Sequence, residues 1–369
     1  MIVILVEILK EEEVVQSYRK QKEKLKLMEI IEYTEKFESQ WKNYLKKNDS
    51  VSFAHQIEWK TILEKSFKQK PFYLMAVDKD QIVGILPLLY YSSLLFGKFL
   101  VSLPWLDYGG VCADSNEIQE KLINKAMEIT QQKKCKFLEL RSVNFEDKRL
   151  VTKTSKVTFI LELEPDPEKV WKKIDSKARN QVRKAQKSNL EVIFGREENL
   201  DQFYSVFSLN MRDLGTPVWT KELFKNILIC FPDKSEIALV KLENKVIGGA
   251  LILYFKDMLT VPSASSLVSY LSYCPNNILY WEIVQRGCLQ GFKKFNFGRS
   301  SLNSGTYNFK KQWVKKPTQL LWQYYLNTVK DLPELNPESP RFSLGIKLWK
   351  RLPLTWANFL GPRIVRNLP

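Results

Sequence analysis

The chain holds a single histidine, His55, among 369 residues. Ser-His-Asp triads, two-His metal sites and HExxH peptidases all need imidazoles that are not there. The five cysteines, Cys112, Cys135, Cys230, Cys274 and Cys288, form no CxxC. That argues against zinc ribbons, thioredoxin-like redox pairs and a disulfide framework, and an odd, scattered set suits buried thiols in a reducing cytosol. Glycine and proline, at 14 and 16, are too few for a collagen-like or low-complexity chain. Acidic residues are also short: 41 Asp and Glu face 57 Lys and Arg, a net charge of +16. Such an excess draws an anionic partner, and nucleic acid, nucleotide-linked sugars, coenzyme A and anionic lipid surfaces all qualify. What remains is globular material, 44% hydrophobic and 27% charged, at a length that suits two domains or one large one.

No uninterrupted membrane-length apolar run stands out. From Ile82 to Leu106 the only charge is Lys98, yet Gly84, Pro87, the Ser92-Ser93 pair, Gly97 and Pro104 divide the stretch into strand-length pieces. The opening MIVILVEILK carries Glu7, lacks a basic leader and runs into EEE, a poor secretory signal that predicts a cytoplasmic protein. Residues 1–27 read as a charged extension outside the core, with Met28 as an alternative start.

Two segments share one order of features. FYLMAVDKDQIVGILPLLYY from Phe72 and EIALVKLENKVIGGALILYF from Glu236 each have an apolar strand, a polar turn, a step at Gly84 or Gly248 and a second apolar strand. A helix and another strand follow in both. In the first half these are EIQEKLINKAMEITQQKK, with Ile118, Leu122, Ala126 and Ile129 at helical spacing, and CKFLELR. In the second they are NNILYWEIVQRGCLQG, closed by Gly291, and FKKFNFGRS. The repeat predicts an α/β protein of two similar halves, each with a mostly antiparallel sheet.

Between the halves, PEKVWKKIDSKARNQVRKAQKSN predicts one helix from Pro167 to Asn189, with Trp171, Ile174, Ala178, Val182 and Ala185 on one stripe. Lys172, Lys173, Lys177, Arg179, Arg183, Lys184 and Lys187 fall on the other side, and Asp175 is the only acid between Trp171 and Asn189. Internal pairing cannot neutralise that face, so Arg179, Arg183 and Lys184 are candidate contacts for an anion.

At this helix, and at FNFGRSSLNSGTYNFKKQW, the sequence resembles the FemAB-like acyltransferases of the GNAT superfamily, in particular the FemAB-related proteins of exosortase (PEP-CTERM) exopolysaccharide systems. LVSLPWLDYGGV, MRDLGTPVW, PNNILYWEIVQRGCLQGFKKF and the tail NPESPRFSLGIKLWKRLPLTWANFLGPRIVRNLP carry the resemblance further, from about Met28 to Pro369. It implies an α/β (α+β) fold of tandem GNAT-like domains, each a mostly antiparallel twisted sheet flanked by helices. The first domain would cover 28–160, completed by 320–369, and the second 161–319 with a BioF2-like acetyltransferase domain. It also implies N-acyl transfer to an amine of a cell-envelope, peptidoglycan-like or exopolysaccharide precursor, from acyl-CoA or aminoacyl-tRNA, with no metal and no DNA. The Q/R-x-x-G-x-G/A loop of coenzyme A enzymes is absent, SYLSYCPNN standing there instead. A helix beginning near Asn276 still presents free N–H groups to a phosphate.

Acyl transfer to an amine needs a deprotonated amine, a polarised carbonyl and both held in place, none of which demands histidine. By the resemblance Lys310 falls on the lysine of the FK..F/W motif and is the first catalytic candidate. Arg299 and Lys311 beside it suit phosphate binding or oxyanion stabilisation. Gly298, Ser300, Ser304 and Gly305 either let a ligand approach the backbone or simply make a turn. Asp107, Tyr108, Gly109 and Gly110 follow Pro104-Trp105 at a strand end; Asp107 suits gripping an acceptor group and Tyr108 stacking on a sugar, with a plain loop the alternative. Arg212 and Asp213 form a third cluster, Asp213 as base or merely as an ion-pair partner. Asn276, Asn277 and Tyr280 stand at a helix start, as ligand contacts or as caps, while His55 reads as packed or capping. Two other classes stay open: an RNA-binding protein, from the charge and the basic helix, and a peripheral membrane-surface scaffold, from the tail, where Trp349, Leu352, Trp356 and Phe359 stand among Lys and Arg.

Overall fold

The computed structural model describes residues 28–367 apart from 94–95, 104–105, 144 and 334–339. The extension expected over 1–27 and the Pro104-Trp105 pair lie outside the described residues.

The first half runs β1 (Glu29–Glu32), α1 (Glu38–Lys47), α2 (Glu58–Phe67), β2 (Lys70–Asp78), β3 (Gln81–Ser93), β4 (Gly97–Val101), β5 (Cys112–Ala113), α3 (Asn116–Gln132), β6 (Phe137–Ser142) and β7 (Val151–Lys153). The chain continues through β8 (Lys156–Glu162), α4 (Pro167–Lys173), α5 (Ser176–Lys187), β9 (Leu190–Gly195), α6 (Leu200–Leu214), α7 (Lys221–Cys230), β10 (Ser235–Leu242), β11 (Lys245–Phe255), β12 (Met258–Ser266), α8 (Pro275–Leu289), β13 (Lys294–Ser301) and α9 (Gly305–Lys311). It closes with β14 (Thr318–Gln319), β15 (Leu321–Leu326), α10 (Pro340–Lys350) and α11 (Leu354–Val365).

One sheet has the order β1-β2-β3-β4-β6-β15-β7, with β5 on β3, and the other β14-β8-β13-β12-β11-β10-β9. The repeat expected from sequence is there, β2-β3-β4-α3-β6 answering β10-β11-β12-α8-β13. Neighbours pair antiparallel except β4 with β6 and β12 with β13, which run parallel. Each sheet is completed by a strand from beyond its own repeat: β8 lies antiparallel on β13, and β15 on β6. Residue 160 falls inside β8, which pairs along its length in the second sheet.

The apolar stretch from Ile82 becomes β3 and β4 because helices cover both faces of the first sheet. Leu74, Ala76, Leu86 and Leu88 pack with Leu122 and Ala126 of α3, whereas Tyr73, Met75 and Ile85 pack with Trp41 and Tyr44 of α1. A strand buried on both faces reads as a continuous hydrophobic run. Ser115 caps α3, its hydroxyl accepting from Ile118 N.

The single basic helix expected from Pro167 to Asn189 is two helices. Ile174 is extended, and Asp175 caps the second, its carboxylate accepting from Lys177 N at 2.7 Å. The Asp175 N–H is turned to the Gln312 carbonyl at 3.0 Å, a long-range bond that a continuous helix would forfeit. The stripe survives the break: Ile174, Ala178, Val182 and Ala185 are buried against the second sheet's core.

His55 is buried. Its Nδ1 accepts from Ser52 N at 2.9 Å, so Nε2 carries the proton that it donates to the Gly110 carbonyl at 2.9 Å. Burial holds its pKa below the ordinary value. All five thiols are free.

Gly110 passes so close to β6 that a Cβ there would stand 2.6 Å from Ser142 Oγ and 2.7 Å from the Arg141 carbonyl. Gly110→Ala is therefore expected to cost about 2 kcal/mol by overpacking against backbone. Urea unfolding measures it, and an unshifted midpoint would show that the loop yields freely.

Candidate active site

Strands β12 and β13 pair at Met258↔Lys294, Leu259↔Phe295 and Thr260↔Asn296, and there the ladder ends. Beyond that point the two strands part. On the other side of β13 the register with β8 shifts between Asn296 and Arg299, and Gly298 takes φ +77°, a left-handed conformation that favours glycine. A Cβ on Gly298 would be 3.0 Å from the Val261 carbonyl, 3.8 Å from Lys310 Nζ and 3.9 Å from Asp107 Oδ2, which measures how closely three elements converge.

The bulge is held by side chains. Asn296 Oδ1 accepts from Gly298 N at 2.8 Å and from Thr158 Oγ1 at 2.7 Å. Asp107, reaching over from the first half, accepts from Arg299 N at 3.0 Å through Oδ1, and its Oδ2 stands 3.3 Å from Thr158 Oγ1. The Arg299 guanidinium donates to the Leu106 carbonyl at 3.2 Å and lies 5.4 Å from the ring centre of Trp322, a residue of β15. Arg141 stands at 4.0 Å from the same indole, paired with Glu139 at 2.6 Å. Burial, followed by repulsion from Arg141, brings the Arg299 pKa down to about 10 against the pull of Asp107 and Glu139.

Lys310 is only 7% exposed. Its Nζ donates to the Gly298 carbonyl at 2.8 Å and the Arg299 carbonyl at 3.0 Å, on either side of the register shift. Burial takes its pKa down to about 8; Asp107 opposes the fall and Arg299 adds to it. An ammonium has three protons, and among the described residues one of them has no acceptor. Lys156, hydrogen-bonded to Ser301 Oγ, is likewise lowered to about 8 by burial and then by Arg299. Arg299, Lys310, Lys156 and Arg141 thus outnumber Asp107 and Glu139 around this centre, an arrangement that receives an anionic group or a developing oxyanion.

A cleft of about 700 Å³ opens beside this centre between the halves, lined by Asp107, Tyr108, Thr260 and Asn296 at one end and by Ser52, Lys256, Lys293 and Lys294 further out. Tyr108 turns its hydroxyl to Met258 Sδ at 3.9 Å, and burial, with Asp107, pushes its pKa up to about 12.

Of the residues singled out from sequence, Asp107, Tyr108, Arg299 and Lys310 come together here. Gly109 belongs to the scaffold, its N–H bonded to the Arg141 carbonyl at 3.2 Å. Ser300 is buried, its hydroxyl without a partner among the described residues. Gly305 opens α9 after the Ser304 cap, and no atom lies within 4 Å of where its Cβ would be, so no close approach demands glycine there. Lys311 is exposed, 5.9 Å from the Tyr307 ring.

Three others lie elsewhere. Asp213 pairs with Arg212 at 2.8 Å, and Arg212 holds the Leu352 carbonyl at 3.3 Å, so the pair fastens the C-terminal helices. Tyr280 is a core side chain among Phe295, Phe297 and Phe309, because α8 is apolar on nearly every face.

Around the start of α8, Asn277 donates to Gln181 of α5 at 3.1 Å, and Asn276 accepts from Ser266 at 2.8 Å. That contact sets the basic helix beside the α8 N-terminus. There Arg179 is half-buried, while Arg183 and Lys184 are exposed, Arg183 lying 5.4 Å from the Trp171 ring.

Glu139, Arg141, Lys156, Thr158, Asn296 and Trp322 were not legible as site residues, although a charge inside CKFLELR and a polar residue inside FNF were signals. Among the described residues the first half shows no equivalent opening. Past Val101↔Glu139, Ser102 N bonds the Glu139 carbonyl and Ser102 Oγ takes Arg141 N, so the chain's own loop fills the gap.

Residues 173–311 match the acetyltransferase (GNAT) domain family. No curated protein sequence matches the chain. Among solved structures, FemX superposes with a TM-score of 0.61 at 14% identity, covering 81% of this chain and 98% of that one. L-PGS from Bacillus licheniformis gives 0.52 at 14% identity, with 85% and 97% covered. A tandem GNAT protein from the clavulanic acid biosynthesis pathway gives 0.50 at 9%, with 80% and 97% covered. The chain therefore has the tandem GNAT fold, with a GNAT acetyltransferase domain in its second half.

Because Asp107 supports the charge on Lys310, Asp107→Asn is expected to move the Lys310 pKa below about 8. NMR titration of labelled lysine reads this directly; an unmoved value would show that the two groups are uncoupled.

Proposed function

We propose that the protein is an N-acyltransferase that joins an acyl or aminoacyl group to an amine of a cell-envelope precursor. The observation that carries the reading is that Arg299 and Lys310, both inside the GNAT match at 173–311, meet where β12 and β13 part. In this reading the donor carbonyl lies at that parting, with the free Lys310 proton and the Arg299 charge facing the oxyanion that forms on attack. The acceptor amine enters through the cleft and forms the C–N bond. The donor's C–S or C–O bond breaks, and the proton lost by nitrogen passes to Asp107, the carboxylate at the cleft end, and from there to the leaving sulfur or oxygen, which departs as thiol or hydroxyl.

The donor is acyl-CoA or aminoacyl-tRNA, which share phosphates. The α8 N-terminus and Arg179, Arg183 and Lys184 beside it suit that shared chemistry. A peptidoglycan-like or exopolysaccharide precursor as acceptor, on the cytoplasmic side, is supported by the resemblance to FemAB-related proteins and by the likeness to FemX. Among the described residues no helix is long and apolar enough to cross a membrane.

Lys310→Ala is expected to lower kcat/KM at least about 100-fold, with circular dichroism unchanged. In the parent, kcat/KM should fall as pH rises through about 8, where Lys310 loses its proton, and Lys310→Arg should move that limb upward. Full turnover by folded Lys310→Ala would remove Lys310 from the chemistry. Neutralising Arg179, Arg183 and Lys184 together with Gln should raise KM for the donor and leave kcat nearly unchanged. A KM for the donor that ignores salt in the parent protein would contradict a role for those charges.

A further inference from the structure

From Pro340 to Pro369 the chain has no Asp or Glu. Within it, α10 and α11 are fastened to the body. Ala357 and Val365 are buried, Arg212 holds the Leu352 carbonyl at 3.3 Å, and Gln69 donates to the Arg366 carbonyl at 2.9 Å. The outward side is apolar and uncovered among the described residues: Leu344 is 63% exposed, Leu348 59%, Trp356 57% and Phe359 52%. Their spacing, i to i+4 in α10 and i to i+3 in α11, puts each pair on one helix face. Lys347, Lys350, Arg351, Arg363 and Arg366 are exposed around them. The Arg363 guanidinium lies 3.7 Å from the Phe359 ring centre, and Trp356 and Phe359 meet edge to face at 6.3 Å.

We infer that this helix pair is an interfacial surface that seats on an anionic lipid bilayer. Rings and leucines framed by cations match the boundary between acyl chains and anionic headgroups. The absence of carboxylates on the segment calls for a polyanionic partner. A nucleic acid would satisfy the charge but leave the leucines and rings in water, whereas a bilayer takes both. The inference stands apart from acyl transfer, since binding to vesicles is read without donor or acceptor, so either reading can fail alone.

The test floats the full-length protein with vesicles of phosphatidylcholine mixed with phosphatidylglycerol, and with phosphatidylcholine alone. Binding to the anionic vesicles, weakened by salt, is expected, together with quenching of tryptophan emission by brominated lipid. Trp356→Ala/Phe359→Ala and, separately, Leu344→Ser/Leu348→Ser should each cut the partition about tenfold or more, and Lys347→Glu/Arg351→Glu likewise. No flotation of the parent would overturn the inference, as would equal binding by folded variants. Self-association of the parent that the same apolar substitutions abolish would also overturn it, assigning the face to a second copy of the chain. Quenching in the unmutated protein keeps the question decidable should a variant fail to fold.

Discussion

Three residue pairs join β12 to β13, and the chemistry rests on the fourth pair being absent. Where β13 leaves β12 and its register with β8 shifts, backbone groups of β13 need other partners, since a buried, unpaired amide or carbonyl costs as much as a lost hydrogen bond. Here the partners are side chains. Asn296 takes the Gly298 N–H, Asp107 takes the Arg299 N–H, and Lys310 takes the carbonyls of Gly298 and Arg299. The groups that repair the broken ladder are also the charged groups of the site, so Lys310 is at once a structural donor and a cation of lowered pKa. Replacing it disturbs both roles, which is why a fold measurement accompanies its kinetics.

The exchange of strands ties the two halves to that point. β8 carries Thr158 into the second sheet, and β15 carries Trp322 into the first. Asp107 reaches from the first half to Arg299 in the second, and Trp322 lies near the guanidiniums of Arg141 and Arg299. Arg141 and Arg299 hold matching places, each cross-strand from the inserted strand, at Trp322 and Thr158. The resemblance between halves ends there. In the first, Ser102 and Gly109 close the parting of β4 and β6 with the protein's own backbone bonds. Among the described residues the opening lies in the second half, and the first supplies the carboxylate and one wall of the cleft.

Periodicity made the repeat legible, because burial of a strand or helix face demands apolar residues at fixed intervals wherever that face lies. Asp107 and Arg299 were candidates because each is a charge just after or at the end of an apolar strand, and Lys310 because the resemblance puts it on the lysine of the FK..F/W motif. Asp213, in a polar cluster, and Tyr280, at a helix start, were candidates on other local signals. Asp213 met Arg212 one residue away, and Tyr280 sat on a helix that is buried over most of its length. The basic segment kept its predicted stripe and lost its continuity at Asp175, whose N–H finds the Gln312 carbonyl far along the chain.

The sequence by itself determined the two similar α/β halves, the strands within the apolar stretch and the basic face of the segment between the halves, since these follow from local pattern and composition. Tertiary structure alone decided that β8 belongs to the second sheet, that Glu139, Arg141, Thr158, Asn296 and Trp322 surround the charged centre, and that among the described residues one of two similar partings is filled. Those outcomes depend on contacts between residues far apart in the chain, and spacing along a sequence carries no record of which distant strand will satisfy an unpaired edge.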